Sequence, residues 1–372
     1  MTRIKLITLV LLGLLTACSI QISDSRATPS VPVALTPNNI PQTANVTPTL
    51  LPPAWAYLNL SGHLVFTQGK LGIGKLDLAT GAISSVFVPP TNGWLIGATT
   101  SPDGQTMALA YAPPPPEGKV QLGYTDLYLM PTDGSALPAP RLERTQVAES
   151  YFSPIWSPDG KYLYYVHFAG LPDTLTPPPE LPYKYTLERL PDPTSTDTHP
   201  EVILESAIWP AISPDGTKLA YAAVDLANYQ NDLYLANADG SGALSLLPPG
   251  TFQAIDSPLF SPDGSAIIFS AVGEGPQSEA EGSSLSWLDR LLGVQVASAH
   301  NVPSDWWRVS VAGGPPERLT KIYDTGLYGD FAPDGQYIAY LSVNGLYVMT
   351  PDGKEITSLL NMQVIGTLEW VP

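Results

Sequence analysis

Few residues in this 372-residue chain are of types that could carry chemistry. Its four histidines, His63, His167, His199 and His300, are far apart, and none forms an H-x-H or H-x-x-x-H pair suited to a metal. They read as surface or hydrogen-bonded side chains. No Gly-x-Ser-x-Gly elbow occurs, so the chain offers no serine nucleophile of that kind. The single cysteine, Cys18, excludes an intrachain disulfide and a Cys-cluster zinc site. Five aspartates, Asp103, Asp159, Asp215, Asp263 and Asp334, each sit between a proline and a glycine. That context gives them a turn role, since Asp caps the local backbone, rather than an acid/base or calcium role. No catalytic residue, metal or cofactor is expected.

The elements that position these aspartates recur. Ser-Pro-Asp-Gly occupies 101–104, 157–160, 213–216 and 261–264, and Ala332-Pro333-Asp334-Gly335 is a fifth copy. Successive prolines are 56, 56, 48 and 71 residues apart. An apolar stretch precedes each copy, as in Ile155-Trp156, and an alternating run follows, as in Tyr162-Leu163-Tyr164-Tyr165-Val166. Aromatic and β-branched enrichment at this length predicts strands, and Asp-Gly supplies the positive φ of a tight hairpin. A third strand with its own Asp-Gly turn and a short fourth strand complete each unit, as at Asp232–Leu235, Asp239-Gly240 and Ala243–Leu247. Each unit is a four-stranded meander of about 50 residues, a period that signals a repeat architecture.

Such a meander cannot bury both faces alone, and radial stacking solves this. The expected fold is all-β: a six-bladed β-propeller with blades beginning near 93, 150, 207, 252 and 326. The segment 63–88 supplies three strands of a further blade. The ending Gly366–Pro372 parallels Ile155-Trp156-Ser157-Pro158 and would supply the missing inner strand. The alternative is a local first strand at Ala56–Asn59.

Residues 1–17 read as a signal peptide: Arg3 and Lys5, then an apolar run to Thr16 too short to span a bilayer as a helix. Leu15-Thr16-Ala17-Cys18 resembles the bacterial lipobox, which implies lipidation of Cys18. Residues 18–54 read as a Pro/Thr-rich flexible tether and 55–372 as the propeller, with an insertion at about 273–305 that carries a short amphipathic helix over 283–293. Formal charge is −17, which argues against a nucleic-acid partner.

The repeated Trp/Phe-Ser-Pro-Asp-Gly-x-x-Ile/Leu-Ala-Tyr … Asp-Leu-Tyr … Asp-Gly pattern resembles the TolB-type propeller repeat over roughly residues 62–372. The resemblance implies a six-bladed propeller in a bacterial lipoprotein form without the TolB amino-terminal domain.

Turns between first and second and between third and fourth strands share one face. Long connections, Pro113–Tyr124, Gly170–Lys184, Asp225–Asn231 and Gly273–Asp305, fall on the other, where recognition usually sits. The candidate binding rim there is Trp94, Tyr151, Trp209, Phe252, Asp256, Tyr328 and Asp330. The expected function is that of a non-catalytic, lipid-anchored cell-envelope protein, monomeric, recognising an envelope protein or a glycan or peptide ligand. The alternative is an envelope glycan lyase or hydrolase with a site at the channel mouth.

Overall fold

The computed structural model describes residues 52–118, 123–146, 149–169, 184–225, 230–273, 275, 302–362 and 366–372. Cys18 and the 283–293 segment lie outside them.

Among the described residues, 24 strands form six antiparallel sheets of four. Blade 1 contains β1 (His63–Thr67), β2 (Ile73–Asp77) and β3 (Ile83–Phe87). Blade 2 contains β4 (Trp94–Thr100), β5 (Thr106–Ala112), β6 (Asp126–Pro131) and β7 (Ala139–Leu142). Blade 3 contains β8 (Glu149–Trp156), β9 (Tyr162–Ala169), β10 (Lys184–Pro191) and β11 (Glu201–Glu205). Blade 4 contains β12 (Ala207–Ile212), β13 (Lys218–Asp225), β14 (Gln230–Asn237) and β15 (Leu244–Ser245). Blade 5 contains β16 (Ala254–Phe260), β17 (Ala266–Val272), β18 (Asp305–Ser310) and β19 (Glu317–Arg318). Blade 6 contains β20 (Tyr328–Phe331), β21 (Ile338–Ser342), β22 (Gly345–Met349) and β23 (Ile356–Leu360).

The last strand, β24 (Leu368–Val371), pairs antiparallel with β1, matching Trp370 to Leu64 and Leu368 to Phe66. The carboxyl-terminal segment thus completes blade 1, and Ala56–Leu58 is a single 3-10 turn instead of a local first strand. The six innermost strands touch in sequence, β4 to β8 to β12 to β16 to β20 to β24 and back to β4, which closes the wheel.

The recurrent turn explains the recurrent sequence. In blade 3 the Ser157 hydroxyl donates to Asp159 Oδ1 at 2.7 Å, and Asp159 Oδ1 accepts the Lys161 N–H at 3.1 Å. Tyr162 N–H donates back to Ser157 Oγ at 2.9 Å. Gly160 takes φ 72°, and its Cα faces the ring of Pro102 from the preceding blade. Asp159 is held low, at about 2, by Lys161, Ser157 and local N–H groups, so it is a fixed anion in a turn.

Strand alternation then sends neighbours to opposite blade interfaces. Leu64 and Phe66 face blade 6 while Val65 faces blade 2; Leu163 and Tyr165 face blade 2 while Tyr164 and Val166 face blade 4. Both faces of a blade are buried, so these strands read as near-continuous apolar runs.

Candidate binding channel

Counting backwards from the serine of each Ser-Pro-Asp-Gly, or its equivalent, places one residue per blade at each level of the axis. A channel of about 580 Å³ opens at the Asp-Gly end of these strands. Five motif prolines, Pro102, Pro158, Pro214, Pro262 and Pro333, ring its mouth. Two residues before the serine position the wall is Thr99, Ile155, Ala211, Leu259, Asp330 and Glu369. Four blades present neutral side chains there, and the two that meet at the closure present acids.

Both acids bond to the next blade. Asp330 Oδ2 accepts the Trp370 N–H at 2.8 Å, and Oδ1 accepts the Phe331 N–H at 2.9 Å. Glu369 Oε2 accepts the Thr100 N–H at 2.8 Å, and Oε1 accepts the Thr99 hydroxyl at 3.3 Å. Each carboxylate keeps a partly exposed surface on the channel, whose walls limit its access to water. Desolvation there pushes Asp330 up to about 6 despite its two backbone donors. Desolvation, with the Asp330 charge adding to it, pushes Glu369 up to about 7 against the pull of Thr100 and Thr99. Among the described residues neither acid has an ion pair.

Tyr328 adjoins this pair: burial, with the charges of Asp330 and Glu369 adding to it, raises its phenol, and its ring lies 6.5 Å from that of Trp209. Trp209 occupies a β-bulge in β12 with φ 53° and is followed by Pro210. Positive φ is unusual for so bulky a residue, and bulges of this kind re-aim a side chain.

Of the seven rim residues expected from sequence, Tyr328 and Asp330 line the channel and Trp209 meets Tyr328. The other four lie in the packing of blades. Trp94 covers Gly69, Tyr151 stacks on His167 at 4.7 Å, and Phe252 packs between Phe269 and Trp307. Asp256 is fully buried in β16. Asp330 also lies nearer the Asp-Gly turns than the long connections. Glu369 was not among the seven, because its strand ends before any Asp-Gly. The parallel between Glu369-Trp370 and Ile155-Trp156 is the signal that finds it.

The chain's segment 53–62 arrives on this same face. Trp55 Nε1–H donates to Leu78 O at 2.9 Å, and Trp370 Nε1–H donates to Ser61 O at 3.0 Å.

No family model matches the sequence, and no curated protein matches it. Solved structures do. A protein assigned as TolB from Agrobacterium tumefaciens superposes with TM-score 0.51 at 18% identity, over 84% of this chain and 98% of that one. TolB from Acinetobacter baumannii gives TM-score 0.52 at 14% identity, over 82% of this chain and 65% of that one. This chain has a TolB-like propeller fold. A puromycin hydrolase mutant complexed with PGG also superposes, with TM-score 0.52 at 15% identity, over 83% of this chain but 47% of that one. Likenesses at this level of identity show the fold alone, and function must be read from the site.

Proposed function

We propose that this TolB-like propeller is a non-catalytic recognition protein of the cell envelope, tethered through a lipid on Cys18, and that its channel mouth takes a cationic group of a protein or peptide ligand. The reading rests on one observation: Asp330 and Glu369 are desolvated on one side of a proline-ringed channel, and among the described residues neither is ion-paired. A lysine, an arginine or an amino terminus entering between them would restore the charge balance, and Tyr328 and Trp209 offer it aromatic faces. Lipidation rests on Leu15-Thr16-Ala17-Cys18, and the Pro/Thr-rich residues that follow would reach about 3.1 Å each where they are polyproline-like. A stalk of that kind would leave room for a ligand on the tether side.

The test is binding of peptides with and without a terminal lysine to the full chain in micelles. A preference for the cationic peptide that Glu369→Gln with Asp330→Asn abolishes supports the reading. Equal binding by wild type and double variant removes it. Raised carboxyls are also what general acid/base chemistry uses, which favours an envelope lyase or hydrolase as second reading. Turnover of envelope glycans by wild type but not by Glu369→Gln would establish it.

A further inference from the structure

A second cluster of ionisable groups lies away from the channel, on the side of blade 3 that faces blade 2. His167 on β9 sits between Glu149 on β8 and Glu188 on β10. Its Nε2 is 2.8 Å from Glu149 Oε1, and its Nδ1 is 2.8 Å from Glu188 Oε1. Both carboxylates are about nine-tenths buried, and the imidazole is 20% exposed. A neutral imidazole has one N–H, so one of these contacts would set a nitrogen lone pair against a carboxylate. Only the imidazolium donates to both.

The remaining oxygens are engaged as well. Glu188 accepts from the Tyr165 hydroxyl at 2.9 Å and the Thr186 hydroxyl at 3.0 Å. Glu149 Oε2 accepts from the N–H and hydroxyl of Thr145 and from the Gln146 N–H, all within 3.0 Å. Thr145 and Gln146 belong to the crossover from blade 2 to blade 3. Glu149 therefore holds that crossover, and His167 holds Glu149.

We propose that His167 is a proton-held bolt within blade 3 that fixes the crossover from blade 2: doubly protonated, it joins Glu149 to Glu188, and release of one ring proton to water frees the crossover at Thr145 and Gln146. The surrounding charges fit this assignment. On β8 and β9, Tyr151 and Tyr165 stay neutral, pushed up by burial and by the neighbouring carboxylates. On β6, Asp126 is neutralised by Arg144 at 3.0 Å. Arg141 on β7 is engaged by the carbonyls of Pro193 and Ser195. His167 is thus the cation for both glutamates.

Burial alone would lower the His167 pKa, but the bonds to Glu188 and Glu149 outweigh it and the net direction is upward. The two glutamates, penalised by burial, are nonetheless lowered by their donors. The bolt is therefore closed below the ordinary histidine value near 6.5 and opens as pH rises through the raised value.

Only four histidines are present, so the ¹⁵N imidazole spectrum of the full chain in micelles is assignable, with His167→Gln marking the signal. At pH 6.5, the ordinary histidine midpoint, most of the His167 rings are expected to carry two protons. Raising the pH through its titration should lower the protection of the Thr145 and Gln146 amides roughly tenfold after correction for intrinsic exchange. The Ile255 amide, held by Asn231 Oδ1 at 2.6 Å, should not change. Glu149→Gln should abolish the pH step. A ring less than half doubly protonated at pH 6.5, or crossover protection that stays level across the titration, overturns the proposal. Both are read on the unmodified chain, so a variant that fails to fold does not decide the matter.

Discussion

Blade 3 and the closure joint solve the same electrostatic problem differently. Each carries two carboxylates in a low-dielectric setting. In blade 3 His167 stands between them, and both glutamates are held low. At the joint, Asp330 and Glu369 receive backbone N–H groups from the next blade, and both carboxyls are raised. Backbone dipoles satisfy hydrogen bonds but supply no full charge, so the second arrangement remains open to a cation from outside. Charge compensation, more than burial or hydrogen-bond count, distinguishes a structural cluster from a site poised for a ligand.

Removal of the internal cation in blade 3 should cost the most stability. His167→Leu should leave two buried, unpaired glutamates and cost about 3–5 kcal/mol at pH 7, read by denaturant unfolding. A loss well below 1 kcal/mol would mean that the glutamates were never compensated by His167. At the joint the comparable loss comes from packing. Trp370→Ala, which removes a buried indole and its bond to Ser61 O, should also cost about 3–5 kcal/mol.

The acid pair should behave in the opposite sense. Its folded-state values lie above those of the unfolded chain, so protonation favours the fold. Stability is full below about pH 4 and declines as pH rises toward about 7. Glu369→Gln keeps an oxygen for the Thr100 N–H and removes the charge. It should stabilise the protein by about 1–3 kcal/mol at pH 8 and flatten the profile between pH 4 and 7. Destabilisation by Glu369→Gln at pH 8 would show that the carboxylate is compensated in some other way.

The wheel was legible because its determinants are local and repeated. Asp-Gly turns, alternating strands and the Ile-Trp-like ending each follow from a few adjacent residues, and closure by Leu368–Val371 follows from the repeat that lacks its inner strand. The two carboxylate clusters were less legible because their partners are distant. His167 meets Glu149 and Glu188 through sheet register, across 18 and 21 residues. Glu369 meets Thr100 across 269 residues. Nearness to a blade start marks Asp330 and Tyr328. The same criterion also gathered Phe252 and Tyr151, because residues just before an inner strand turn inward to the blade packing as readily as toward the axis.

The one degraded repeat of the turn lies in blade 6. Ala332 stands where four other blades have the serine whose hydroxyl bonds the turn aspartate, as Ser213 does to Asp215 at 2.6 Å. In blade 6 Asp334 keeps only the backbone bond from Gln336, at 2.9 Å. Ala332 is about as buried as those serines, at 3% exposure against 3% for Ser213 and 5% for Ser157. A hydroxyl there would meet the same Asp and the same following N–H, so its desolvation would be compensated. Ala332→Ser should therefore stabilise the fold by about 0.5–1.5 kcal/mol. The gain should be the same in the Glu369→Gln background, since turn and channel acid share no partner. A gain that changes between the two backgrounds would mean that the blade 6 turn and the carboxylate pair are one coupled unit.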